Sequence, residues 1–103
     1  MDYVGLSIYE LPAASRVWYG APQSFTQLMN MKYPLVSGFN KPVFVAELGD
    51  ATTDNQAAWV AAMFVTTRNY PLLKALIWFN AQDTASWGPQ FGTPDWRISP
   101  AIF

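Results

Sequence analysis

Histidine and cysteine are both missing from this chain of 103 residues. The first absence excludes Ser–His triads, imidazole zinc ligands and imidazole acid–base chemistry. The second excludes disulfides and thiolate metal sites. Charge is sparse as well. Only 13% of residues are charged, the net charge is −1, and no basic cluster offers the electrostatic footprint a nucleic acid needs. No stretch approaches the about 20 apolar residues of a membrane span. The first residues carry neither the charged nor the apolar region of a signal peptide, so a secretion signal is expected upstream if the protein is exported. Carboxylates are left to carry any chemistry, and neither a metal nor a cofactor is expected.

What is abundant is apolar and aromatic surface. Hydrophobic residues make up 51% of the chain and aromatic residues 17%, five of them tryptophan. A short chain struggles to cover so much of it. Either part of it is a binding face, or the chain belongs to a larger body.

Periodicity gives the elements. Asp2 to Tyr9 reads as a strand, rich in β-branched and aromatic residues. Glu10 to Pro22 reads as a loop broken by Pro12, Gly20 and Pro22. Ser24 followed by Gln27 fits a capping box and opens a helix from about Phe25 to Val36, with Phe25, Leu28 and Met29 inward. Lys41 to Leu48 is a second strand. Asp54 caps a second helix, Asn55 to about Asn69, with Trp59 and Met63 in the core. Lys74 to Asn80 is a third strand, Ala81 to Asp95 a long loop, and Ser99–Pro100 the start of another helix. Strands alternating with helices imply an α/β fold with a parallel sheet and right-handed crossovers. Three strands leave two open edges, which is not a self-sufficient arrangement.

Glu47 stands out. It ends the apolar run Val43-Phe44-Val45-Ala46, and a carboxylate is costly at the tip of a buried strand unless it has a task or a partner. That tip is also where parallel α/β folds bind ligands. Strict alternation would put Glu47 on the face of Val43 and Val45. Parallel pairing would bring Tyr9, Glu47 and either Trp78 or Phe79 to one end of the sheet. A carboxylate, a phenol and an indole suit the attack on, and stacking against, a sugar ring. Trp18, Trp87 and Trp96 lie in or beside loops, where sugar stacking competes with loop packing as the explanation. Glu10, Asp50 and Asp83 follow strand ends and are within reach of a site there, but the plain reading makes them solvated loop acids.

Taken together, Asp2-Tyr3-Val4-Gly5-Leu6-Ser7-Ile8-Tyr9, Lys41-Pro42-Val43-Phe44-Val45-Ala46-Glu47-Leu48-Gly49, Lys74-Ala75-Leu76-Ile77-Trp78-Phe79-Asn80 and Asp95-Trp96-Arg97-Ile98 resemble the C-terminal part of glycoside hydrolase family 26. The resemblance covers essentially the whole chain. It implies strands six to eight of a retaining (β/α)8 TIM barrel, a fold of about 250 residues. It implies an endo-acting, β-mannanase-like hydrolase that is secreted and acts on β-mannan, mixed-linkage glucan or xylan. Glu47 then matches the nucleophile, Tyr9 the aromatic residue beside it and Trp78 the strand-eight aromatic of the sugar subsite, and Trp87 joins the substrate-binding residues from its place in the loop. The family's acid/base glutamate lies on strand four, and nothing here corresponds to it. Retaining chemistry needs two carboxyl groups about 5–5.5 Å apart, so this chain alone is expected to be inactive. Two other readings remain: a non-catalytic carbohydrate-binding barrel, and self-assembly of several copies through their open edges.

Overall fold

Three short strands pair into one sheet in the computed structural model, which describes residues 3–52 and 56–98. They are β1 (Val4–Glu10), β2 (Val43–Asp50) and β3 (Leu73–Trp78), side by side in that order. Both pairings are parallel, so each connection must cross back over the sheet, and helices make the crossings. α2 (Phe25–Lys32) and α3 (Pro34–Ser37) lie between β1 and β2, and α4 (Gln56–Thr66) between β2 and β3. The expected α/β class and parallel sheet are present. Asp54 and the Ser99–Pro100 turn fall outside the described residues.

The helices form for reasons written in the chain. Ser24 Oγ accepts from the Gln27 amide (3.1 Å) while Gln27 Oε1 accepts from the Ser24 amide (2.8 Å), a complete capping box for α2. Phe25, Leu28 and Met29 are buried, and Phe25 meets Trp59 of α4 edge to face at 5.8 Å. The helix expected to reach Val36 ends instead at Lys32. Pro34 has no amide proton and would clash with the preceding turn, so it starts the separate turn α3. On α4, Trp59, Val60, Met63 and Thr66 face inward. A 3-10 turn at Thr67–Asn69 brings it to a close.

Two expectations need correction. The segment read as a loop from Glu10 to Pro22 contains a helix, α1 (Pro12–Tyr19). Pro12 sits in its first turn and Gly20 closes it in the left-handed region at φ 86°, the usual asymmetry of helix ends. The second correction concerns facing. β1 runs Leu6, Ser7 against Val45, Glu47, so Ala46 is an extra residue in β2. This bulge interrupts the alternation. Val43, Val45 and Leu48 are buried while Ala46 and Glu47 are both exposed. Glu47 therefore does not share a face with Val43 and Val45; it lies opposite them.

The sheet has two unlike sides. One carries Leu6, Ile8, Val43, Val45 and Leu48 against α2 and α4, forming the main core. The other carries Gly5, Ser7, Glu47 and Ile77, all exposed, and no layer of described residues covers it. Phe44 on that side is half-buried, with Tyr3 stacked on it at 4.5 Å. Among the described residues, no helix is long and apolar enough to cross a membrane.

Candidate functional site

The bulge at Ala46 delivers the Glu47 side chain to the uncovered side of the sheet, beside the end of β1. There Ser7 Oγ donates to Glu47 Oε1 (3.3 Å) and Tyr9 Oη donates to Oε2 (3.2 Å). Both donors come from β1, where alternation puts Ser7 and Tyr9 on one face. The contacts are longer than the about 2.7 Å usual for a hydroxyl donor, so they orient the carboxylate more than they spend its charge. Among the described residues Glu47 has no ion pair. The Tyr9 phenol is pushed up to about 12, mainly by burial and then by the Glu47 charge and hydrogen bond. It stays a neutral donor throughout the ordinary pH range.

Tyr9 is held by rings. Trp96 packs on it with centroids 4.8 Å apart, and Trp87 and Phe79 meet it edge-on at 6.0 and 6.2 Å. Gly49 lies underneath. A Cβ there would stand 3.0 Å from Trp96 Cε3 and 3.0 Å from Tyr9 Cδ1. A side chain at this position would press on both rings, which would have to give by a few tenths of an ångström, and this is a steric reason for the Glu47-Leu48-Gly49 element to end in glycine.

Asp83 fixes the wall behind Tyr9. Its Oδ2 accepts from the indole N–H of Trp87 and of Trp96, each at 3.1 Å, and its Oδ1 from the Thr84 amide at 2.8 Å. The Trp96 bond is the largest influence holding its carboxyl below the ordinary range. Asp83 is therefore not a freely solvated loop acid but the hub of the aromatic cluster.

Glu10 and Asp50 also depart from that reading. They end β1 and β2 as register partners and are 1% and 0% exposed. Glu10 accepts from Ser15 Oγ and, at 2.8 Å, from the Gln23 amide, so it braces both α1 and the far end of the connection that carries it. Burial raises its pKa despite those bonds. Asp50 takes the Thr52 amide on Oδ1 (3.0 Å), and its Oδ2 is buried with no partner.

Of the residues singled out in the sequence, Tyr9, Glu47 and Trp87 come together. Trp78 does not join them. Its register partner is Leu48, its ring packs edge-on against Trp59 at 6.3 Å, and its indole donates to the Trp96 carbonyl at 2.6 Å. Phe79, the other residue considered for that place, touches Tyr9 instead. Trp78 thus ties the segment around Trp96 to the core. Trp96 is fully buried and is a pillar, not a platform. The described residues hold no group of three or more carboxylates, histidines or cysteines that could hold a metal. No protein-family model matches the chain, and no curated protein sequence matches it.

Proposed function

We propose that this chain is the C-terminal part of a retaining β-glycanase barrel of the β-mannanase type, with Glu47 as its nucleophile. The observation that supports it most is the Glu47 carboxylate at the C-terminal end of a parallel sheet, flanked by two neutral hydroxyl donors and an aromatic wall. An unpaired carboxylate attacks an anomeric carbon better than one neutralised by a cation, and a phenol that keeps its proton steadies it without quenching it. The acid that protonates the leaving oxygen would come from an upstream strand, about 5–5.5 Å from Glu47. Attack by Glu47 forms a glycosyl-enzyme, and water then releases the sugar with retained configuration. Tyr9 and Trp87 line the sugar's place. Trp78 supports that place from the core and does not touch it.

The test uses the protein at its full natural length on β-mannan and mixed-linkage glucan. Glu47→Ala is expected to lose at least ~10³-fold in rate, the scale for removing a nucleophile, with partial rescue by azide. A wild-type protein that binds a glycan but never cleaves it would instead make this a carbohydrate-binding barrel, with Glu47 as one polar contact in its groove.

A further inference from the structure

The last turn of α1 exposes three consecutive large apolar residues, Val17, Trp18 and Tyr19, at 70%, 55% and 47%. Exposed apolar surface of this kind marks a contact. The patch is not loose. Trp18 stacks on Trp87 with centroids 5.8 Å apart and planes 23° from parallel, and Tyr19 and Phe91 meet it edge-on. Trp87 is in turn held through its indole by Asp83. α1 itself is tied to the end of β1 through the Ser15–Glu10 bond and by buried Leu11 and Ala14. More than half of the Trp18 surface is open, yet its position is set from two directions.

The patch is also continuous with the Glu47 site. Glu47 bonds Tyr9, Tyr9 meets Trp87 at 6.0 Å, and Trp87 stacks on Trp18. A cleft of about 90 Å³ beside the patch is lined by Tyr9, Trp18 and Trp87 together with residues of α1 and α2, Lys32 among them. It is too small to enclose a sugar ring, so a chain of sugars would lie across its rim. Resting on the function proposed above, we infer that the open face of Trp18 is an outer subsite, which stacks on a pyranose ring of the same β-linked polymer more than one unit away from Glu47. A pyranose has an apolar face of C–H groups and a polar perimeter. A rigid aromatic surface with both its neighbours and its own ring fixed suits such a face, because little freedom is lost on binding.

Calorimetric titration of the full-length protein with manno- and cello-oligosaccharides, a disaccharide against a hexasaccharide, tests this, every protein compared carrying Glu47→Ala so that the sugars are bound and not cleaved. Trp18→Ala should weaken hexasaccharide binding about tenfold, the size of one aromatic stacking contact, and leave the disaccharide unchanged. Trp18→Phe should restore most of the loss. Equal hexasaccharide affinity with and without Trp18→Ala overturns the subsite while leaving the glycanase reading intact. Absence of any glycan binding by the protein with Trp18 intact overturns both. Oxidative footprinting of that same protein covers a Trp18 variant that fails to fold. Trp18 protected by hexasaccharide but not by disaccharide supports the subsite. Trp18 already protected in the free protein means another part of the molecule covers it, and overturns it.

Discussion

Asp50 shows how a single residue couples the fold to pH. Its carboxyl is fully buried, one oxygen is unpartnered, and Glu10 is its register partner on the next strand. Burial is the main cause that pushes its pKa from 3.8 up to about 6, and the Glu10 charge adds to it. The folded state therefore holds a proton that the unfolded chain releases at lower pH. Stability is fully present below the ordinary value and is lost as pH rises toward about 6, by roughly 2–3 kcal/mol. The raised pKa of Glu10 acts in the same direction. The lowered values of Asp83 and Asp95 act oppositely, but only in more acidic solution. Thermal melting should accordingly show a higher midpoint at pH 5 than at pH 7.5. Asp50→Asn should flatten that difference and raise the neutral midpoint; an unchanged profile in the variant would refute the assignment. Nothing in the sequence disclosed this role, because burial of an acid after a strand depends on what packs over it. Glu47 and Tyr9 were legible, since parallel strands bring their C-terminal ends together whatever else surrounds them. The choice between Trp78 and Phe79 was not, because it turns on the register of β3 against β2. Asp83 was equally hidden: its two indole partners are matched by space, not by any spacing that sequence patterns reveal.

At the scale of elements, the clearest local signal was also the most accurate. The Ser24–Gln27 box fixes the start of α2, and α2 supplies Phe25 and Met29, both fully buried. Ser24→Ala should cost about 1 kcal/mol and lower the melting midpoint by several degrees for a domain this size. Ser24→Thr should retain most of the stability. Equal midpoints for wild type and Ser24→Ala would show that packing alone sets the helix. α1 escaped notice although its end signals are present. Its eight residues fall between Pro12 and Pro22 beside Gly20, a stretch whose composition reads as turn. Tertiary anchoring through Glu10 and Ser15 stabilises a helix too short to persist alone. The bulge in β2 escaped for a different reason. One extra residue leaves no compositional mark, and the run Val43 to Ala46 looks uniformly apolar until the partner strand shows which residue goes unpaired.

Over the molecule as a whole, the helices of the described residues that pack on the sheet, α2 and α4, cover one side of it. The described chain measures 38 × 29 × 24 Å with a radius of gyration of 13.8 Å, slightly above the about 13 Å of a compact chain this long. Ile77 and Phe79 are 53% and 38% exposed on the bare side, and among the described residues β1 and β3 each have a free edge. The chain produced by itself should therefore associate as its concentration rises, visible by sedimentation velocity. Ile77→Lys should reduce that association while changing stability by less than about 0.5 kcal/mol, as expected for an exposed position. A wild-type monomer at all concentrations would contradict it. The open edges were legible from a count of three strands, whereas which face stays bare was not. That face bears on the register of β2. If β2 paired without its bulge, Glu47 would turn into the apolar core and Leu48 out into water. Burying the carboxylate costs several kcal/mol, so the misregistered sheet is rejected by the very residue proposed to do the chemistry. An exposed carboxylate at this position thus disfavours slippage of the strand register, and an apolar residue in its place would lose that restraint along with the proposed nucleophile.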